Sequence, residues 1–282
     1  MEIKNVMVVG AGIMGSGIAQ ACMEGGAQVL LVDATRELAE KGREKIAHYL
    51  SRKVEKGKLQ ADQVEDILSR LRVSGDYADG AQADLVIEAV PEKVELKQEV
   101  FRKLEAVCRP DAILATNTST ISITRIGSVV KDASRVIGMH FFVPASVMKL
   151  IEVIPGLCTS EETRDSCTAF AEGISKTPIL APDTPGFTVN RLLVPMWNEA
   201  AYMVMEGGEP KDIDAAMRLG GNLPMGPLEL ADYAGLDTVL ATMTELYLGF
   251  HDDKYRPCPL LQKMVYGGQL GRKSGKGFYE YS

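Results

Sequence analysis

Short apolar runs alternate with longer amphipathic stretches through much of the chain. Each run is rich in Val, Ile and Leu, as in a strand that is buried on both faces of a sheet. Amphipathic stretches with helical spacing follow several of these runs, and strands that alternate with helices form mostly parallel sheets. The pattern therefore predicts an α/β fold. The apolar runs occupy residues 6–9, 29–32, 85–90, 112–116, 136–142 and 150–154.

The stretch at 34–72 is helical in pattern, highly charged and longer than the usual helix that joins two parallel strands. Gly57 interrupts it, so we expect a helical hairpin that projects from the sheet. Its basic residues fit two interpretations: a solvated face, which such a charge run favours, or a docking face for a polyanionic ligand. These residues are Arg52, Lys53, Lys56 and Lys58.

A stretch rich in Pro and Gly at 181–187 marks a domain boundary. Beyond it the apolar positions recur at helical spacing and strand patterns are few. We therefore expect two domains, a sheet-containing one at 1–184 and a smaller all-α domain at 185–282. An apolar helical domain of this kind commonly self-associates, so we expect a homodimer formed through it.

The first apolar run leads directly into a turn in which Gly10, Gly12 and Gly15 have the G-x-G-x-x-G spacing. Gly10 allows a tight turn, Gly12 lets a pyrophosphate approach the backbone, and Gly15 lets the following helix pack closely on the strand. The helix N-terminus, with Ile13 and Met14, then offers N–H groups and a partial positive charge to phosphates. This motif predicts a Rossmann-type domain that binds a dinucleotide.

An acidic residue supports the same prediction. Asp33 ends the second apolar run, 18 residues after Gly15, where a carboxylate binds the adenosine ribose hydroxyls. A carboxylate there repels a 2′-phosphate, so NAD is favoured over NADP, although Arg36 leaves an opening for NADP. The alternative is a glycine turn in an unrelated α/β protein, with Asp33 acting as a helix cap.

Polar side chains follow the next two buried strands. Glu92 and Lys97 come after the strand at 85–90, and a run of small polar residues at 117–120 follows the strand at 112–116. Ligands of open α/β sheets bind beyond the carboxyl ends of the strands, which places these residues near the expected cofactor crevice. The alternatives are ordinary helix charges for the first pair and helix capping for the run, which spacing alone favours.

A histidine and a glutamate lie in the last two apolar runs. His140 and Glu152 are twelve residues apart, and a glutamate is rarely buried without a partner. On adjacent strands the two side chains could hydrogen-bond, which fixes the imidazole tautomer as a general base requires. The alternative is a structural polar pair. His48 and His251 lack such partners, and we expect them at the surface.

The composition of the chain argues against several classes of function. The chain has 282 residues and a net charge of −7, which argues against a nucleic-acid-binding surface. It has no apolar run long enough for a membrane span. Because the N-terminus enters the first strand directly, we expect no targeting peptide. Five scattered cysteines indicate reduced thiols in a cytoplasm, and metal-ligand spacing is absent.

Together these motifs resemble the short-chain L-3-hydroxyacyl-CoA dehydrogenases, which in bacteria are also called 3-hydroxybutyryl-CoA dehydrogenases. The resemblance extends over essentially the whole chain. Besides the glycine motif it includes residues 86–92, 117–119, 140–142, 147–153, 183–191, 224–230 and 271–279.

The resemblance implies an enzyme that transfers a hydride between NAD and carbon 3 of a 3-hydroxyacyl-CoA. It implies that His140 is the catalytic base, that Glu152 orients it, and that Ser119 and Asn190 contact the substrate near the reacting carbon. It also implies cofactor and coenzyme A contacts. The cofactor residues are Gly10, Gly12, Ile13, Met14, Gly15, Asp33, Glu92, Lys97, Asn117 and Lys273; Lys53 or Lys56 meets the coenzyme A phosphates.

One departure from the family pattern bears on the cofactor site. The family usually has Asn at the position of Val143, and that Asn contacts the nicotinamide end of the cofactor. Two alternative functions stay open. One is a dehydrogenase of a free hydroxy acid of the gulonate type, and the other is an NAD-binding protein without turnover.

Overall fold

The computed structural model describes residues 1–281. They divide into two compact units, with the division between Asp183 and Thr184. The sequence pattern placed this division one residue later. Unit 1 contains the sheet, and unit 2 is built from helices. The fold class predicted from the sequence, a Rossmann-type sheet followed by a helical domain, is confirmed.

The described part of unit 1 forms an eight-stranded sheet in the order β3-β2-β1-β4-β5-β6-β7-β8. Neighbouring strands are parallel except β6 and β7, which are antiparallel. The strand order reverses between β1 and β4, the point at which ligands bind in such sheets. The strands are β1 Asn5–Val9, β2 Gln28–Val32, β3 Leu71–Ser74, β4 Leu85–Glu88, β5 Ile113–Thr116, β6 Val136–Phe141, β7 Leu150–Pro155 and β8 Thr177–Leu180.

Helices pack on the sheet because the central strands are apolar on both faces. All residues of β4, β5 and β6 are buried, which agrees with their continuous apolar runs. The helices of unit 1 are α1 Ile13–Glu24, α2 Arg36–Glu55, α3 Ala61–Ser69, α4 Val94–Val107, α5 Ile123–Gly127 and α6 Glu161–Gly173.

The helical hairpin expected at 34–72 is present as α2 and α3, and the turn after α2 contains Gly57 with a φ of +66°. The helical prediction is wrong at its end, because Leu71–Ser74 forms β3. The sequence pattern also missed β8. Both strands lie at the edges of the sheet, are four residues long and include exposed positions, so they lack the apolar run that marks a central strand.

Unit 2 has its own apolar core, which includes Trp197, Leu236, Met243 and Leu246. Buried Asp214 accepts hydrogen bonds from the N–H groups at the start of α9 and from the Tyr279 hydroxyl. The helices of unit 2 are α7 Val189–Met205, α8 Pro210–Gly220, α9 Pro227–Ala234, α10 Leu236–Phe250 and α11 Pro259–Tyr266.

Candidate functional site

Two glycines of the motif are required by the fold of the turn itself. Gly10 has a φ of +101°, and a Cβ there would lie 2.7 Å from the carbonyl oxygen of Ala89. A Cβ at Gly15 would lie 1.7 Å from the carbonyl oxygen of Gly10. Side chains at these two positions would therefore push β1, β4 and α1 apart.

The middle glycine faces open space. Gly12 is the N-cap of α1, and a Cβ built on it meets nothing within 4 Å. Ile13, the first residue of α1, is exposed. The packing of the protein thus leaves room at a helix N-terminus, where N–H groups and the helix dipole favour a phosphate. This arrangement fits the pyrophosphate of a dinucleotide.

Asp33 lies at the end of β2 and is joined to the same turn. Its Oδ2 accepts a hydrogen bond from the Ala11 N–H at 2.6 Å, and its Oδ1 accepts one from the Ala34 N–H at 2.7 Å. The N-cap of α2 is Thr35, whose hydroxyl accepts from the Leu38 N–H. The alternative role of Asp33 as the cap of this helix is therefore excluded.

Charged side chains meet at the end of β4. Lys97 on α4 is 1% exposed, and its Nζ lies 2.8 Å from Oε1 of Glu88, which is fully buried. The Lys97 Nζ also lies 3.2 Å from Oε2 of Glu92. Burial alone would raise the pKa of Glu92, but Lys97 and the donors of the next loop outweigh it and hold that pKa below its ordinary value.

The polar loop after β5 is fixed by Glu92. The Glu92 Oε1 accepts hydrogen bonds from the Ser119 N–H at 2.9 Å and from the Thr120 N–H at 3.2 Å, and also from the Thr118 hydroxyl. The N-cap of α5 is Ser122, so capping of this helix does not explain the run at 117–120.

Asn117 joins this loop to β6. Its Oδ1 accepts a hydrogen bond from the Phe141 N–H at 2.8 Å, directly after His140. The structure therefore brings Glu92, Asn117, Ser119 and His140 to the same edge of the sheet.

His140 and Glu152 are direct partners across β6 and β7. Both are buried, and Nδ1 of His140 lies 2.8 Å from Oε2 of Glu152. An ionised carboxylate only accepts hydrogen bonds, so Nδ1 is the donor and a neutral imidazole carries its lone pair on Nε2. The Phe142 ring packs 4.5 Å from the imidazole, measured between ring centroids.

Of the remaining sequence-derived candidates, two lie in unit 2 and two at the C-terminal end of α2. Asn190 lies in the first turn of α7, and Lys273 forms a hydrogen bond with Asp237 at 2.6 Å. Lys53 is paired with Glu24, while Lys56 is exposed at the end of α2. Lys53 is thus not part of a fully solvated face.

Sequence reasoning missed the roles of Glu88 and Thr116. The signal for Glu88 was the same as that for Glu152, a carboxylate inside an apolar run, which needs a buried partner. Val143, the position that departs from the family pattern, is 56% exposed just after β6.

The cysteines form no disulfide within the described residues. All five are free thiols, and burial raises the pKa of Cys22 and Cys167 to about 12. Within residues 1–281, no three His, Cys, Asp or Glu side chains come together in a way that could hold a metal ion. None of the helices described there combines the length and the hydropathy that crossing a bilayer requires.

Two family models match the chain. One, described as 3-hydroxyacyl-CoA dehydrogenase, NAD binding domain, matches residues 5–184. The other, described as 3-hydroxyacyl-CoA dehydrogenase, C-terminal domain, matches residues 186–281. The chain belongs to the 3-hydroxyacyl-CoA dehydrogenase family. It is therefore an oxidoreductase with an NAD-binding domain, and the predictions of family, cofactor and enzyme class are confirmed.

Relatives are similar over the full length. A probable 3-hydroxybutyryl-CoA dehydrogenase of Bacillus subtilis is 50% identical and is aligned over 100% of this chain and 98% of its own. A 3-hydroxybutyryl-CoA dehydrogenase of Bradyrhizobium diazoefficiens is 45% identical, with 99% and 96% coverage. The crystal structure of (S)-3-hydroxybutyryl-CoA dehydrogenase from Ralstonia eutropha has a TM-score of 0.97 and 45% identity, and both chains are covered completely.

Proposed function

We propose that this dehydrogenase interconverts 3-hydroxybutyryl-CoA and acetoacetyl-CoA. The observation that carries the proposal is the buried His140–Glu152 pair at the carboxyl edge of a dinucleotide-binding sheet. The substrate itself is inferred from relatives at 50% and 45% identity, a probable and a named 3-hydroxybutyryl-CoA dehydrogenase.

His140 acts as the general base in the oxidation. Loss of hydride from carbon 3 without loss of the hydroxyl proton would leave a protonated ketone, so a base must take that proton. Nε2 of His140 accepts it, and the Glu152 carboxylate stabilises the imidazolium and holds the ring in the correct tautomer. In the reverse direction the imidazolium donates the proton to the ketone oxygen. Bound NAD supplies the hydride chemistry.

Ser119 and Asn190 are proposed to contact the substrate oxygens and to hold carbon 3 in position. The backbone of Ser119 is held by Glu92, so its hydroxyl is presented from an ordered loop. Lys56 is the better candidate for the coenzyme A phosphates, because it is exposed whereas Lys53 is paired with Glu24.

The glycine turn and Asp33 are proposed to bind the pyrophosphate and the adenosine ribose. Glu92 and Asn117 then belong to the nicotinamide half of the site, with Lys273 as a further candidate. Lys97, which pairs with Glu88 and Glu92, is proposed to belong to the same half of the site.

Unit 2 is proposed to bind substrate and to form a homodimer, in a cytoplasmic protein. Exposed apolar side chains on unit 2, including Leu192 on α7 and Leu219 on α8, support self-association. Light scattering coupled to size-exclusion chromatography measures the mass directly. A single chain has a mass of 30.6 kDa, so a species of that mass at micromolar concentration would contradict the dimer.

Steady-state reduction tests the substrate assignment. We expect rapid NADH oxidation with acetoacetyl-CoA, much slower turnover with free acetoacetate, and weak activity with NADPH. Equal turnover of the free acid would favour the hydroxy acid dehydrogenase. If the protein binds NADH but turns over neither free acetoacetate nor 3-ketoacyl-CoA substrates of any length, the result would favour the non-catalytic alternative.

A further inference from the structure

The loop between β6 and β7 joins the two strands that carry the His140–Glu152 pair. It comprises residues 142–149, between the end of β6 at Phe141 and the start of β7 at Leu150. The register of the two strands ends at the pair of Phe141 with Ile151, so the backbone of the loop needs partners outside this ladder. Those partners determine the path of the chain next to the pair.

A lysine side chain reaches this loop from outside it. Lys176 lies between α6 and β8, and its Nζ donates hydrogen bonds to the carbonyl oxygens of Ala145 at 2.7 Å and Met148 at 2.8 Å. Hydrogen bonds from a charged donor are shorter and stronger than those between neutral groups. A single ammonium thus connects two points of the loop.

Backbone hydrogen bonds place Lys176 beside the loop. The Lys176 N–H donates to the carbonyl oxygen of Ala171 on α6 at 2.9 Å. The next residue, Thr177, begins β8 beside β7 and donates its N–H to the carbonyl oxygen of Lys149 at 2.7 Å. Lys176 is therefore held between a helix and a strand, and its side chain extends to the loop from an ordered position.

The loop is also folded on itself and packed on α1. The carbonyl oxygen of Pro144 accepts the N–H groups of Val147 and Met148, both at 2.9 Å. Ala145 is 3% exposed, and its Cβ lies 3.2 Å from the position that a Cβ would occupy at Gly17 on α1. The middle of the loop is thus fixed by packing through its side chain and by Lys176 through its carbonyl groups.

Phe142 connects the loop to His140. It is the first residue after β6 and is half-buried, and its ring centroid lies 4.5 Å from that of the imidazole. A shift of the loop backbone moves this ring and changes its packing against the imidazole. The position of the loop therefore affects the surroundings of His140.

We propose that Lys176 is a positioning residue whose ammonium holds the loop at 142–149 and thereby keeps the Phe142 ring against His140. The consequence for catalysis rests on the proposed function, in which His140 is the base. The order of the loop and the position of the Phe142 ring do not depend on that function.

Amide hydrogen exchange in the full-length, ligand-free protein tests whether Lys176 holds the loop. In Lys176→Met we expect the amides of Val147 and Met148 to exchange roughly tenfold faster or more, because the loop loses two hydrogen bonds from a charged donor. Lys176→Arg keeps a cation with several donors, so we expect it to restore most of the protection. Lys103→Met is the matched control, because Lys103 is exposed and pairs with Glu99 at 2.7 Å on α4. Loop exchange stays unchanged in this control.

The imidazole signals in an NMR spectrum test the connection to His140. The chain has three histidines, so protein labelled with ¹³C at histidine Cε1 gives a simple spectrum. The ring current of Phe142 displaces the His140 signal, and we expect this signal to move in Lys176→Met and to return in Lys176→Arg. The signals of His48 and His251, assigned through His48→Gln and His251→Asn, should stay in place.

A second variant keeps the test decisive if Lys176→Met does not fold. Lys176→Gln keeps a donor but has a shorter, uncharged side chain, so we expect faster loop exchange and a displaced His140 signal in this variant as well.

Unchanged exchange at Val147 and Met148 in a folded variant would overturn the proposal. So would faster exchange with an unmoved His140 signal, because the loop would then be held without any effect on the imidazole. Movement of all three histidine signals would also contradict it, since the change would then be general. The two proposals fail separately: absence of acetoacetyl-CoA reduction by the unmodified protein refutes the proposed function, whereas both measurements require neither substrate nor cofactor.

Discussion

Two regions at the same edge of the sheet form their candidate ligand sites from different kinds of groups. The glycine edge, formed by the ends of β1 and β2, consists of Gly10, Gly12, Gly15 and Asp33. It offers backbone N–H groups, a helix N-terminus and open space. The carboxylate edge lies at the ends of β4, β5 and β6 and at the start of β7. It consists of Glu88, Glu92, Lys97, His140 and Glu152, linked to the polar loop between them.

The difference concerns what each edge requires of the rest of the protein. The glycine edge depends on small residues and on the direction of one helix, which are local features of the chain. The carboxylate edge depends on buried polar and charged side chains whose burial is compensated only by partners on other strands and helices. We therefore expect an added side-chain atom to impair ligand binding at the glycine edge. At the carboxylate edge we expect the loss of a single charge or proton acceptor to impair function.

The largest expected effect is on turnover at the carboxylate edge. His140→Ala removes the base and should lower kcat by roughly 10²–10⁴-fold, the usual contribution of a positioned general base. NADH affinity, measured by fluorescence titration, should stay nearly unchanged because the glycine edge is intact. Near-normal turnover of acetoacetyl-CoA by this variant would refute the assignment of the base.

Glu152→Gln tests the same assignment through the hydrogen-bond partner of the base. The amide can present an N–H to Nδ1 and so favour the wrong tautomer, which should lower kcat by roughly 10²-fold or more. A loss confined to the KM of acetoacetyl-CoA would instead indicate a structural polar pair.

The next largest expected effect distinguishes the role of Gly15 from that of Gly12. Gly15→Ala places a Cβ 1.7 Å from the Gly10 carbonyl oxygen, so we expect a lower melting temperature as well as the loss of NADH binding. Gly12→Ala meets no protein atom within 4 Å and should keep its melting temperature while NADH binding weakens. Equal thermal destabilisation by both variants would show that Gly12 serves packing and not a ligand.

A smaller effect is expected at Asp33. Asp33→Asn removes the charge that repels a 2′-phosphate, so the ratio of NADH to NADPH affinity should fall by about tenfold, a typical value for one electrostatic contact. Both dissociation constants are measured by fluorescence titration. An unchanged ratio would mean that Asp33 only fixes the turn through the Ala11 N–H.

The smallest effect concerns pH. The pKa of Glu92 is below its ordinary value of 4.5 in the folded protein, so its ionised form stabilises the fold above pH 4.5. This contribution is lost as the pH falls through the lower, folded value. In denaturant unfolding below pH 4.5, Glu92→Gln should lose less stability with falling pH than the unmodified protein. Glu95→Gln, on the exposed face of α4, should behave like the unmodified protein.

Much of the central sheet and of the glycine edge could be predicted from the sequence. Strands buried on both faces appear as continuous apolar runs, and the glycine spacing reports on a turn only a few residues long. The edge strands β3 and β8 could not be predicted in this way, because strands of four residues with exposed positions carry little periodic signal. Helix α3 ends at Ser69, and Arg70 connects it directly to β3. No change in residue type marks this transition in the sequence.

The candidate base and its partner could be named from the sequence because a carboxylate in an apolar run demands a partner. Their pairing could not be established in that way, since it depends on the antiparallel register of β6 and β7. The same register argument applies to Asn117, whose side chain reaches the backbone of β6.

The sequence by itself determined the family, the dinucleotide turn and the identity of the charged residues, because these depend on residue types at short, fixed spacings. Only the tertiary structure decided which charge faces which. Lys97 is satisfied by Glu88, Val90 and Glu92, and Lys53 is paired with Glu24. The physical reason is that an ion pair acts over a few ångströms between elements that folding brings together. The spacing of residues along the chain does not give these distances.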